Sequence, residues 1–190
     1  MTRLVARTVR EAYIYLEATL PGQEIVDFER DSRLDRTDHG GYVLRFDGVV
    51  DGGRVRVDVE IPRDDETDDE IGVRSYGPGR STLLDAGQWF YVEVARVNVA
   101  VADLAALGGA AATDPVFNGI VRAWEAAAGA VDEIAKFLPE GAGSVPADAF
   151  WTDAGRRALE LQPDVFQRER IVRSQRRYRQ EITEFTARQG

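Results

Sequence analysis

The stretch Tyr42–Ile61, YVLRFDGVVDGGRVRVDVEI, decides the fold class. Its hydrophobic period is two. Tyr42, Leu44 and Phe46 alternate with Val43, Arg45 and Asp47; Val55, Val57, Val59 and Ile61 alternate with Arg56, Asp58 and Glu60. Such alternation gives a strand one buried and one wet face. Asp51-Gly52-Gly53 joins the two runs as a hairpin turn, because glycine reaches the positive φ that tight hairpins need. The pattern predicts that Val55, Val57 and Val59 face the core.

Working outward, the period changes on both sides. Residues 3–20 read as a helix, with Val5, Val9, Ala12, Tyr13, Leu16 and Leu20 at three- and four-residue spacing and Pro21-Gly22 ending it. Ile25–Glu29 reads as a short strand, and Ile71 with Val73 as another. Beyond residue 84 the pattern is helical. Asp85–Leu107 is rich in valine, which favours strands. Yet Glu93, Arg96, Ala100 and Asp103 share one helical face, so the reading is a mostly buried helix with Asn98 as its odd polar residue. Asp114-Pro115 opens the next helix, whose stripe is Phe117, Ile120, Val121, Trp124, Ala128, Val131, Ile134 and Leu138 before Pro139. In Val131–Tyr178, VDEIAKFLPEGAGSVPADAFWTDAGRRALELQPDVFQRERIVRSQRRY, two helices flank a Pro/Gly loop and a long basic helix follows. Thr152 caps the short middle helix, and Pro163 or Asp164 opens the last. The expectation is one α+β domain: helix plus antiparallel meander over residues 1–80, helical layer over 81–190.

The totals narrow the chemistry. In 190 residues there is no cysteine, one histidine and one lysine, Lys136. Disulfides, thiolate zinc sites and cysteine nucleophiles are therefore excluded, and Schiff-base or Walker-type chemistry has little to work with. No cofactor or metal is expected. The net charge of −9 disfavours nucleic acid as a partner. No apolar run approaches a membrane span and no signal-peptide pattern opens the chain, so a cytoplasmic setting without membrane contact is expected.

Charge is unevenly spread. Asp64, Asp65, Glu66, Asp68, Asp69 and Glu70 form an almost purely acidic run. It lacks the glycine of a calcium-binding EF-hand loop, and reads either as a solvated loop or as a surface that meets a basic protein. Arg170, Arg173, Arg176 and Arg177 lie on one face of the last helix. They are solvated, pair with the acidic run, or contact an acidic partner. Gly77-Pro78-Gly79-Arg80-Ser81-Thr82 sits where a phosphate loop would, but arginine stands in place of the Walker lysine. A plain connection is the simpler reading; an anion subsite made by Arg80, Ser81 and Thr82 with helix amides is the other. His39 lies in a polar turn, where it is either solvated or a general base. Trp89, Trp124 and Trp151 read as core residues. No serine–histidine–acid set stands out, and nothing singles out a pair among the 33 acids.

Four segments carry a resemblance: Val9–Tyr15 (VREAYIY), Leu83–Trp89 (LLDAGQW), and Val131–Pro139 (VDEIAKFLP) with Ala149–Arg156 (AFWTDAGR). In these the chain resembles a family of uncharacterised actinobacterial proteins with no established activity. The resemblance spans most of the length and implies one co-evolving unit. Relatives in that family often hold cysteine pairs near the first helix end and the hairpin, which looks like a small zinc clasp. Pro21-Gly22 and Asp51-Gly52-Gly53 stand near those places here, so the resemblance implies a meander held by packing instead of zinc.

Three functions compete at this stage. The first is a non-catalytic cytoplasmic protein-interaction protein, in its most concrete form an immunity- or antitoxin-like inhibitor whose acidic run binds a basic partner. The second is a small-molecule-binding protein or enzyme with a pocket between sheet and helices near Gly77–Thr82 and Tyr91. The third is a regulatory adaptor that uses the basic last helix.

Overall fold

The computed structural model describes residues 3–20, 27–62 and 76–189. The architecture is α+β, as the hydrophobic periods predict. The chain gathers into two compact units, one holding the described residues up to Leu84 and the other those from Asp85.

The first unit contains α1 (Val9–Thr19) and an antiparallel sheet in the order β1 (Ser32–Arg36), β2 (Tyr42–Val50), β3 (Gly53–Ile61). The β2–β3 register pairs Leu44 with Val59 and Phe46 with Val57, so cross-strand partners share a face. Leu44, Phe46 and Val59 are buried; Val57 and Val55 are only half-buried. Asp51 (φ 49) and Gly52 (φ 76) make the hairpin turn, both left-handed, which matches the right-handed twist of the strands.

Two expectations for this unit change. The first helix begins at Val9 rather than residue 3, because Leu4–Ala6 run extended beside β3: the Glu60 N–H donates to the Leu4 carbonyl (2.9 Å) and the Ala6 N–H to the Glu60 carbonyl (2.8 Å). Thr8 then caps α1, accepting from the Glu11 N–H at 3.1 Å. The strand expected over Ile25–Glu29 lies partly outside the described residues, and Phe28–Asp31 form a turn closed by the Asp31 N–H on the Asp27 carbonyl (3.0 Å). The strand that pairs with β2 is Ser32–Arg36 instead. Ile71 and Val73 lie outside the described residues.

The second unit is four helices: α2 (Ala86–Leu107), α3 (Asp114–Ala135), α4 (Asp153–Leu161) and α5 (Arg168–Gln189). α3 packs on both α2 and α5, and α2 also packs on α4. The α3 stripe buries Ile120, Trp124, Ala128, Val131 and Ile134, as its spacing predicts. Trp124 meets the Tyr178 ring at 5.6 Å, and Phe150 meets Phe166 edge-on at 4.7 Å. Trp89 and Trp124 are core residues, but Trp151 is 42% exposed beside Phe137, which corrects its core reading. The last helix is entered through a short 3-10 turn over Pro163–Phe166. No helix among the described residues is long and apolar enough to cross a membrane.

The helix over Ala86–Leu107 forms as expected, but it is not mostly buried. Ala86, Gly87, Gln88, Trp89, Val92 and Ala100 are buried, whereas Tyr91, Val94, Ala95, Asn98, Val99, Val101, Ala102, Ala105 and Ala106 are exposed. The face that carries Glu93, Arg96, Ala100 and Asp103 is the more buried one. Packing on α3 and α4 claims that face, and the apolar one is left to solvent.

Candidate functional site

The acidic run Asp64–Glu70 lies outside the described residues. The loop Gly77–Thr82 is built as a connection. The Ser81 hydroxyl is buried and accepts from the N–H groups of Leu83 (3.1 Å) and Leu84 (2.9 Å), while Arg80 and Thr82 are exposed. The loop is tied to the start of α1. Thr8 donates to the Tyr76 carbonyl at 3.2 Å, Arg7 donates to the Gly77 carbonyl at 3.3 Å, and Arg7 pairs at 2.7 Å with the buried Glu11 carboxylate. Gly77 has φ +115, and a Cβ there would meet the Arg7 Cβ at 2.7 Å, so glycine is required. Gly77–Thr82 belongs to the first unit and Tyr91 to the second. His39 is exposed in the Thr37–Gly41 turn, which is held by the Gly41 N–H on the Thr37 hydroxyl (3.1 Å). Among the described residues no cluster of three or more histidine and acid side chains is placed to hold a metal ion.

The outer face of the sheet is charged but self-neutralising. Arg45 bridges Asp35 (3.0 Å) and Asp58 (3.7 Å); Arg54 (2.7 Å) and Arg56 (3.0 Å) share Asp47; Arg3 pairs with Glu60. The hydrogen bond from Arg54, reinforced by Arg56, holds the Asp47 carboxyl below its ordinary range. Alternating signs across three strands leave little net field for a ligand to feel.

The arginine face of α5 is different. Arg170, Arg173, Arg176 and Arg177 are all exposed. Arg177 reaches Glu181 at 3.9 Å, and Arg170 and Arg177 lie close enough to Glu93 to favour its charged form. Arg173 and Arg176 have no ion pair among the described residues; with Arg177 and Val172 they line an open groove along the helix. Arg168 is spent structurally, donating to the carbonyls of Ala142 and Pro139, both at 2.7 Å.

Two polar arrangements, one part-buried and one centred on a buried acid, are not evident from the sequence. In one, the Tyr178 hydroxyl of α5 donates to Glu93 Oε1 of α2 at 2.6 Å. Desolvation raises the Glu93 pKa against the opposing pull of that bond and of Arg170 and Arg177. Burial, then the Glu93 charge, also raise Tyr178. A polar position of α2 and a tyrosine in the α5 stripe were visible, but their meeting depends on helix packing.

The other centres on Asp85. Its carboxylate accepts from the Gln88 N–H (2.9 Å), while the Asp85 N–H donates to the Gln88 side chain (3.1 Å), a capping box. The same carboxylate accepts from the N–H (2.7 Å) and the hydroxyl (2.6 Å) of Thr152, which itself caps α4 through the Gly155 N–H (2.9 Å). A Cβ on Gly155 would collide with the Asp85 carboxylate, and one on Gly87 would come within 2.5 Å of Gly155 Cα. Two helix starts thus share one buried acid. The signal was present as Asp-x-x-Gln at 85–88 and Thr-x-x-Gly at 152–155, two of the segments that stand out in the sequence. No protein family, no curated protein and no solved structure matches this chain.

Proposed function

We propose that the protein acts without catalysis, as a cytoplasmic protein-interaction protein that holds its partner through charged surfaces. The observation that carries this reading is the contrast between two sets of arginines. On the sheet, Arg3, Arg45, Arg54 and Arg56 each meet a carboxylate. On α5, Arg173 and Arg176 stand exposed without one among the described residues, in a chain of net charge −9. Guanidinium groups left open suit planar carboxylates on an acidic partner surface. The most concrete version remains an immunity- or antitoxin-like inhibitor, with the acidic run Asp64–Glu70 engaging a basic toxin. That part rests on the sequence.

A partner captured by pull-down provides the test. Its on-rate is measured at two salt concentrations against wild type, against Asp64, Asp65, Asp68 and Asp69 all changed to Asn, and against Arg173→Glu with Arg176→Glu. Steering by either surface slows association in the matching variant and flattens the salt dependence, because exposed charges are screened over ~8 Å at physiological ionic strength. Identical rates throughout reject charge-guided binding.

A small-molecule-binding protein or enzyme is the second reading, and the Glu93–Tyr178 pair favours it, since shifted titrating groups mark reactive sites as well as structural ones. Ligand-dependent quenching of the adjacent Trp124 would support that reading.

A further inference from the structure

We infer that the exposed face of α2 binds a second copy of this chain, antiparallel, about a twofold axis at Asn98. This goes beyond the proposed function and does not depend on it. The face consists of Tyr91, Val94, Ala95, Asn98, Val99, Val101, Ala102, Ala105 and Ala106, with no acidic or basic side chain of the Asp, Glu, Lys, Arg or His kind, whereas Glu93, Arg96 and Asp103 lie on the more buried side. Tyr91 (40%), Val94 (38%), Val99 (47%) and Val101 (50%) keep large apolar side chains in water. A lone helix surface normally has the opposite polarity. The inversion marks a face that another surface covers.

The order of residues names the occupant. Tyr91, Val94, Asn98, Val101 and Ala105 follow heptad spacing, the pattern of a helix–helix seam. With Ala95 and Ala102 beside them, they form pairs placed symmetrically about Asn98. In an antiparallel pair centred there, Tyr91 lies opposite Ala105, Val94 opposite Ala102, and Ala95 opposite Val101. Tyr91, Val94 and Val101 each meet an alanine, so the centre line of the face complements itself, while Val99 falls opposite Val97 at its margin. The Asn98 side chain makes no hydrogen bond among the described residues. Its amide carries both donor and acceptor, so it can pair with an identical amide across the axis. Antiparallel helices also oppose their dipoles favourably.

Charge and area agree. Two copies of net charge −9 repel, and this seam adds no further charge to the contact. Tyr91 to Ala105 spans about 21 Å of helix. A seam of that length and one helix wide buries on the order of 1,000 Å² in total, about the least that a specific interface needs.

The absence of cysteine makes the test direct. Asn98→Cys places one thiol per chain at the axis and should oxidise readily to a covalent dimer. Tyr91→Cys should not, because its two copies would stand about 21 Å apart, beyond disulfide reach. Equal cross-linking of both variants would mean a parallel pair and overturn the geometry; cross-linking of neither overturns the contact. Sedimentation of the wild type should show a concentration-dependent dimer. Val94→Glu with Val101→Glu should weaken it at least roughly a hundredfold, since each charge enters an apolar seam. Both positions are exposed, so an unchanged denaturant midpoint confirms that the variant is folded. A wild type that stays monomeric at hundreds of micromolar, or a dimer indifferent to the two glutamates, overturns the proposal.

Discussion

The Asp85 carboxylate receives both the backbone N–H and the hydroxyl of Thr152, 67 residues away in sequence, at 2.7 and 2.6 Å. One acid therefore orders the start of α4 while it caps its own helix. Asp85→Asn keeps the shape but turns one acceptor oxygen into a donor. At least one N–H or O–H then loses its partner in a fully buried site. The expected cost is about 3 kcal/mol, read as a lowered urea midpoint with an unchanged slope.

Glycines separate close packing from helix propensity. Gly155→Ala should destabilise by at least about 2 kcal/mol, because the new methyl collides with the Asp85 carboxylate. Gly119→Ala, exposed in α3 with no atom within 4 Å of a built Cβ, should instead stabilise by about 0.5–1 kcal/mol. Thermal melts of the two variants should move in opposite directions.

Glu93 imposes a pH dependence whose sign follows from its raised pKa. The native state binds the Glu93 proton more tightly than the unfolded chain does. This term therefore lowers stability as pH rises from the unfolded carboxyl value through the native one, and is constant above both. Glu93→Gln keeps an acceptor for Tyr178 and should remove that decline. Tyr178→Phe deletes the hydrogen bond that favours the carboxylate and should raise the Glu93 pKa further. Urea midpoints across acid pH, with a carboxyl NMR titration of Glu93, check both expectations.

The sheet should show graded costs. Val59, fully buried opposite Leu44, should lose about 2–3 kcal/mol on change to Ala; Val57, half-buried opposite Phe46, about 1 kcal/mol. Equal midpoints for the two variants would contradict this order.

The hairpin and the cap at Thr152 were legible because each is local: a period of two around a glycine turn, and a threonine three residues before Gly155. The β1 strand was not. Its sequence, SRLDR, has one apolar residue, and Leu34 is itself 43% exposed, so an edge strand presents no alternation to read. Nor was the orientation of α2 legible. Periodicity separates Glu93, Arg96 and Asp103 from the valines, but which side packs depends on where α3 and α4 arrive. The same holds for the candidate sites. The arginines of α5 were visible as a face, whereas their lack of carboxylate partners, unlike the paired arginines of the sheet, is a property of the assembled fold.

The extended segment Leu4–Ala6 has a bearing on the protein's fate after proteolysis. It occupies the backbone groups of Glu60 at one end of β3, on the side away from β2. Trimming the N-terminus past Ala6 would bare those groups and lengthen the edge that β3 presents to a strand from another molecule. A few residues that form no regular element thus shorten the open edge of the sheet.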